Sequence, residues 1–340
     1  MSVDAVQLTR NLVDIESITY NEGAVGAWLE AYLLGLGFAV ERMPVPQPGE
    51  SRHTGERFNL YASVDGARPD VVFSTHMDTV PPFFPSSEDE EFIYGRGSCD
   101  AKGIIAAQTA AAVRLREQNF KVGLLFVVGE ERDSAGARLA NEQPKGGRFL
   151  INGEPTDNRL ALASKGALRA TIRATGKMGH SAYPELGESA IHKLVLALER
   201  VLALKLPFVE DVGPGTLNIG VIEGGHAPNV IADMAAAHLL IRLVGPSDEV
   251  RMAIQEAVAE LATVDFTLEI PFVRMRKIEG LETMVAAFTT DIPALSSWGE
   301  PLLLGPGSIH VAHTPHERLA KRELFEAIDL YTEVAMRLIR

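Results

Sequence analysis

Between positions 25 and 36 the apolar residues Val25, Trp28, Leu29, Tyr32, Leu33 and Leu36 recur at the three-and-four spacing of one helix face. Gly35 and Gly37 follow as stop signals, so an amphipathic helix is predicted there. Farther on the pattern shortens to compact apolar runs, NLYASV at 59–64, DVVFST at 70–75 and VGLLFVV at 122–128, with an alanine-rich helical stretch from Gly103 to about Arg116 between the last two. Strands that alternate with helices imply a largely parallel α/β sheet.

From about Gly166 to Pro271 the pattern changes. The order becomes strand (ALRATIRA), helix (SAIHKLVLALERVLAL), strand (TLNIGVIEG), strand (AAAHLLIRLV), helix (SDEVRMAIQEAVAEL) and strand (DFTLEI), a β-α-β-β-α-β succession of the ferredoxin-like kind. Ser247, followed by Asp248 and Glu249, reads as the cap of the second helix. After Pro271 the mixed pattern returns, with an apolar strand PLLLG at 301–305 and a last helix bearing Leu324, Ile328, Tyr331 and Val334 on one stripe. The expectation is an α/β domain formed by residues 1–165 and 272–340, with a mixed, mostly parallel sheet flanked by helices. Residues 166–271 are then an inserted second domain, which is tolerated because domain termini tend to lie close together.

Length and charge narrow the function. A chain of 340 residues exceeds the usual size of one hydrophobic core, which agrees with two domains. The net charge of -13 disfavours nucleic acid and anionic membrane as partners, since both need a surplus of Lys and Arg. Cys99, the sole cysteine, cannot form an internal disulfide, and the start MSVDAVQLTR lacks the basic and apolar segments of a signal peptide. On those two grounds a cytoplasmic protein is expected, and no uncharged apolar run approaches the roughly 18 residues of a membrane span.

Five segments carry candidate metal ligands. In STHMDTVPP, His76 and Asp78 project to one side of an extended chain, which suits a ligand and the carboxylate that orients it, although His-x-Asp alone is compatible with a surface turn. In YGRGSCDAKG, Asp100 stands on a tight turn where a carboxylate can bridge two cations, or simply cap the helix that follows. In VVGEERDSAG, Glu130 and Glu131 follow a fully apolar strand. One such carboxylate can bind metal while its neighbour takes and returns a proton. FLINGEPTD places Glu154 after another apolar strand, and GPGSIHVAHTPHE offers His310, His313 and His316, among which spacing does not choose.

Imidazoles and carboxylates in combination fit zinc, cobalt or manganese better than a thiolate site would. Other hydrolytic signatures are missing: there is no H-E-x-x-H or G-x-S-x-G, and GRGSCD lacks the third glycine of a dinucleotide fingerprint. A serine hydrolase built on Ser181 and His180 is disfavoured, because adjacent residues on an extended chain point apart and no oxyanion turn accompanies them.

STHMDTVPP, GRGSCDAKG, GEERDSAG, GEPT, KMGHSAYP, APNVIAD and GPGSIHVAHTPHE occur in the order of the sequence blocks of the M20 metallopeptidases and deacylases, which the chain resembles over nearly its whole length. That family includes acetylornithine deacetylase, succinyl-diaminopimelate desuccinylase, aminoacylase and glutamate carboxypeptidase. The resemblance implies a zinc-exopeptidase-like catalytic domain in which His76 and Glu154 hold one divalent cation, Glu131 and His313 the other, and Asp100 bridges them. Zinc is the expected ion, with cobalt or manganese as alternatives. His313 is preferred because the matching block ends in Ala-His with an acid four positions later, here Ala312, His313 and Glu317.

The resemblance further implies that Asp78 orients His76, that Glu130 is the general base, and that His180 reaches across a homodimer interface to polarise the scissile carbonyl. Lys165, Asn229 and Arg242 match positions that hold substrate. The segment between Leu281 and Leu304 is compressed around TTDIPAL, a departure that bears on the substrate pocket. The expected activity is hydrolysis of N-acyl amino acids, of the acetylornithine deacetylase type. A dipeptidase or carboxypeptidase is the alternative within the family, and a catalytically silent dimeric scaffold the alternative outside it.

Overall fold

The computed structural model describes residues 3–339 apart from 50, 54, 65 and 67. The chain divides into two compact units, one of Met1–Leu162, Met275–Met284 and Thr290–Arg340, the other of Ala163–Arg274 and Val285–Thr289. Strands β1 (Ala39–Pro44), β2 (Phe58–Ser63), β3 (Val71–His76), β4 (Val122–Val127) and β5 (Phe149–Asn152) precede β6 (Gly166–Thr175), β7 (Thr216–Gly224), β8 (Met234–Leu243) and β9 (Thr263–Ile270), and β10 (Glu300–Leu303) follows. The helices are α1 (Ala5–Val13), α2 (Gly23–Gly35), α3 (Lys102–Glu117), α4 (Ala135–Glu142), α5 (Ala190–Leu202), α6 (Asp248–Val258) and α7 (Lys321–Ile339).

In the first unit the sheet order is β1-β2-β4-β3-β5-β10. The pairs among β4, β3, β5 and β10 are parallel, and β1 and β2 extend the sheet antiparallel. Every residue of β2, β3, β4 and β5 is buried, as expected for strands covered on both faces. Alternation along β4 sorts the side chains: Leu124 and Phe126 face a core shared with α1, α2, α3 and α7, while Leu125 and Val127 face Trp298, Leu295 and Ala137 of α4 on the other side. The alanine-rich face of α3 is what lets this helix lie close to both α7 and the sheet. Every residue from Lys102 to Val113 is buried. The amphipathic helix read between 25 and 36 is α2, with Val25, Leu29 and Leu33 buried.

In the second unit β7-β8-β6-β9 form an antiparallel sheet. Alternate residues Leu168, Ala170, Ile172 and Ala174 of β6 and Ala235, Ala237, Leu239 and Ile241 of β8 bury one face under α5 and α6. Ser247 precedes α6 but does not cap it with its side chain; its hydroxyl donates to Glu269 Oε1 at 2.7 Å. The cap reading fails because a carboxylate on β9 outcompetes the helix N–H groups for that hydroxyl. No described helix is long and apolar enough to cross a membrane.

Candidate metal centre

Because β3 pairs in parallel with both β4 and β5, their carboxyl ends share one edge of the sheet, the usual place for a site in an α/β fold. His76 is the last residue of β3, Glu130 and Glu131 follow β4, and Glu154 lies just beyond β5. Asp100 enters from the turn before α3 and His313 from the loop before α7. His76 Nε2 lies 2.9 Å from Oδ1 of Asp100, and His313 Nε2 lies 3.3 Å from Oδ2 of the same carboxylate. Glu131 Oε1 is 3.0 Å from His313 Nε2. Two groups result, His76–Asp100–Glu154 and Asp100–Glu131–His313, in each of which one ligand atom per residue lies within 4.8 Å of the others. Asp100 belongs to both. His310 and His316 belong to neither and are exposed.

The electrostatics of the cluster call for cations. Burial pushes the Glu154 carboxyl well above the usual carboxylate range, and one of its oxygens, Oε1, has no hydrogen-bond partner among the described residues. Burial and the neighbouring Glu154 likewise drive Glu130 far up. Burial works the other way on Asp100, yet the hydrogen bonds to His313 and His76 overcome it and hold this carboxyl low. The same contacts, to Asp100 and Glu131, raise the His313 imidazole to about 10. Crowded acids with an orphan oxygen are costly unless neutralised, and this donor set of imidazole and carboxylate fits divalent zinc, cobalt or manganese.

Asp78 has a wider reach than the orienting of one histidine. The ring nitrogen Nδ1 of His76 is 2.9 Å from the backbone carbonyl oxygen of Asp78, nearer than the 3.6 Å to its Oδ1. The Asp78 carboxylate instead accepts the backbone N–H groups of Gly129, Glu130 and Glu131 at 2.9, 3.1 and 3.2 Å, and the Thr19 hydroxyl at 2.9 Å. It therefore anchors the loop that carries two site carboxylates. Beneath that loop the buried pair Arg57–Glu22, 3.1 Å apart, sits so close to Gly129 that a Cβ there would meet Arg57 Nη2 at 2.5 Å.

In the second unit, two short antiparallel segments pair His180 with Val230, so His180 and Asn229 are neighbours, and Asn229 O accepts the N–H of Ser181 at 3.1 Å. His180 Nδ1 accepts the N–H of Ala182 at 3.1 Å, which places the ring proton on Nε2. Arg242 lies on the face of β8 opposite the helices, half-buried and with no ion pair among the described residues. Lys165 is turned to the carbonyl of Pro214 at 2.7 Å.

Sequence reading missed Asp291. It is 1% exposed, burial raises it to about 6 against the lowering effect of Ser134, and its charge in turn pushes Glu130 and Glu154 up. The available signal was an acid directly before the apolar stretch IPAL within TTDIPAL. Thr19, Glu22 and Arg57 were missed as well, because their contacts join segments far apart in the chain.

The chain is 37% identical over 342 residues to a Peptidase M20 domain-containing protein of Schizosaccharomyces pombe, covering 97% of this chain and 84% of that one. It is equally 37% identical, over 371 residues and the same coverage, to a probable carboxypeptidase of Paracoccidioides brasiliensis. Among solved structures it resembles a tripeptidase of Staphylococcus aureus, with a TM-score of 0.80 at 21% identity over 99% of this chain and 100% of that one. The aminopeptidase PepT of Bacillus cereus gives 0.79 at 22% over 99% and 98%. The model of peptidase family M20/M25/M40 matches residues 72–337, and the chain belongs to that family of metal-dependent hydrolases of amide bonds.

Proposed function

We propose that the chain is a dinuclear metallopeptidase that releases an amino acid from a short peptide. The observation that carries the dinuclear part is the position of Asp100, whose two oxygens face two different histidines and join two ligand groups. Charge supports cations at this site, since the acids Asp100, Glu131 and Glu154 crowd together, and burial and the charge of Asp100 raise the carboxyls of both glutamates. When bound, such cations polarise the scissile carbonyl and acidify a water. His76, Asp100 and Glu154 would hold one, Asp100, Glu131 and His313 the other, with zinc the natural ion for this donor set.

Glu130 is then the general base. Its carboxylate takes a proton from the attacking water, whose oxygen bonds to the amide carbon. As the C–N bond breaks it gives the proton to the leaving nitrogen, yielding a carboxylic acid and an amine. A carboxyl driven upward by burial and by Glu154 is suited to hold that proton between the two steps. The Nε2–H of His180 is a donor of the kind that stabilises a developing oxyanion. We assign it to the site of a second subunit in a homodimer. Exposed apolar residues support such an interface: Ile191, Val195 and Leu202 recur on one stripe of α5, and Val221 and Ile222 lie on β7, whose outer edge has no strand partner among the described residues. Asn229 and Arg242 are further proposed substrate contacts, an unpaired guanidinium being a natural partner for a carboxylate. Lys165, whose Nζ donates to Pro214 O at 2.7 Å, is the remaining proposed substrate contact.

The names of the relatives favour peptides over the N-acyl amino acids that the sequence blocks suggested. Chelator-stripped protein reloaded with zinc or cobalt is assayed for amine release from dipeptides, tripeptides, and N-acetyl and N-succinyl amino acids, with Glu130→Gln as control. Metal-dependent release from free peptides, lowered about 10²–10⁴-fold in the control, is the expected result. Release confined to N-acyl amino acids would make the chain a deacylase, and none from any substrate at full metal loading would point to the silent scaffold.

A further inference from the structure

Glu317 stands four residues beyond His313 and is 2% exposed. Its Oε1 accepts three backbone N–H groups of the turn that delivers Asp100, from Gly97 at 2.9 Å, Asp100 itself at 3.1 Å and Cys99 at 3.3 Å. Its Oε2 accepts Arg96 Nη1 at 2.5 Å, and that guanidinium, also 2% exposed, donates through Nε to Pro82 O at 3.3 Å. The main chain repeats the tie: Gly95 N–H donates to Glu317 O at 3.2 Å, and Arg318 pairs with Tyr94. Gly95 and Gly97 have φ of +128° and +89°, so the turn adopts a backbone that ordinary residues avoid, and its N–H groups converge on one point. Such a concavity selects an anion, and here the chain supplies the anion from the loop that carries His313.

We propose that Glu317 is a positioning residue that fixes the separation of Asp100 and His313, and so sets the affinity of the Asp100–Glu131–His313 group for its cation, with Arg96 holding its second oxygen. The inference rests on the dinuclear reading. A neutral acceptor could serve the three N–H groups but would leave the buried Arg96 without a counter-charge, which explains why an acid is kept behind a site already crowded with acids. The effect is selective: Glu317 is linked to two members of one ligand group and to Asp100 alone of the other.

The test titrates cobalt(II) into chelator-stripped wild type, Glu317→Gln and Arg96→Lys, reading stoichiometry by equilibrium dialysis and coordination by the visible absorption of the bound ion. Wild type is expected to take two cations. Both variants should keep one within about threefold of wild-type affinity and weaken the other by about 10–100-fold, the usual effect of losing an outer hydrogen-bond partner. Two cations bound with wild-type affinity in the variants, or both weakened in parallel, overturns the assignment; the parallel loss is what a merely structural clamp would give. If Glu317→Gln does not fold, Arg96→Lys, which keeps the charge, decides the matter by the same readout. Wild type taking fewer than two cations removes the dinuclear reading, and this inference with it.

Discussion

Asp78 accepts the backbone N–H of Glu130 at 3.1 Å, so the proposed base is set in place by a residue two positions beyond the proposed ligand His76. The histidine's Nδ1 lies 2.9 Å from the Asp78 carbonyl, which any substitution keeps, and 3.6 Å from the Asp78 carboxylate. Asp78→Asn is expected to leave two cations bound while lowering kcat by about 10–100-fold, because an amide in place of one carboxylate oxygen opposes the loop N–H groups. Steady-state kinetics at full metal loading, beside metal analysis, checks this. Loss of a cation with an unchanged kcat for the reloaded enzyme would return Asp78 to the role of orienting His76.

The raised His313 gives a pH signature. At neutral pH the metal-free imidazole, at about 10, carries a proton that a cation must displace. Cation binding near pH 7 should therefore release protons, and affinity for that cation should rise with pH up to about 10. For the metal-free protein the sign is opposite. A folded pKa raised above the unfolded ~6.5 contributes stability that is full below ~6.5 and is lost as pH rises through about 10. Calorimetric titration in buffers of different ionisation enthalpy measures the release. Its absence would show that His313 is already neutral.

Gly129 has φ +82°, and a Cβ there would meet Arg57 Nη2 at 2.5 Å and Asp133 Oδ1 at 2.9 Å. Gly129→Ala should destabilise the protein by about 1–3 kcal/mol and lower activity, since the strained loop carries Glu130. Urea unfolding of the metal-free variant measures the first, and a change within about 0.5 kcal/mol, the range of neutral surface substitutions, would contradict it.

The assignment of His180 to a partner's site predicts complementation. His180→Ala and Glu130→Ala homodimers should each be nearly inactive. Mixed dimers should regain activity, because one of their two sites combines an intact Glu130 with an intact His180 from the other subunit. No recovery after subunit exchange would place His180 in its own subunit's site, or outside catalysis.

Much of the fold was readable in the chain because period and position coincide. The runs 59–64, 70–75 and 122–128 fall on strands, and of the helix face beginning at Val25 the residues Val25, Leu29 and Leu33 are buried while Trp28, Tyr32 and Leu36 are half-buried. Acids and histidines directly after apolar strands fall at the sheet edge because parallel pairing brings the ends of β3, β4 and β5 together. What the chain hid are partnerships between distant segments. Thr19 and the Arg57–Glu22 pair lie against the site only after folding, and no local spacing announces them, while Asp291 left only the faint trace of an acid before the apolar stretch IPAL. Glu317 was visible as a motif acid, but its three backbone partners were not. Ser247 failed as a helix cap for the same reason, a partner on β9 taking its hydroxyl.

If two cations on the Asp100-bridged cluster perform the hydrolysis, metal and activity must return together, and stoichiometric reactivation reads both at once. Chelator-stripped protein is titrated with zinc or cobalt while peptide hydrolysis and bound metal are followed in parallel. Activity absent without metal and rising to a maximum as two equivalents per chain bind is the predicted result. Hydrolysis that persists after complete metal removal, or that saturates with no cation at His76, Asp100 and Glu154 or at Asp100, Glu131 and His313, would contradict it.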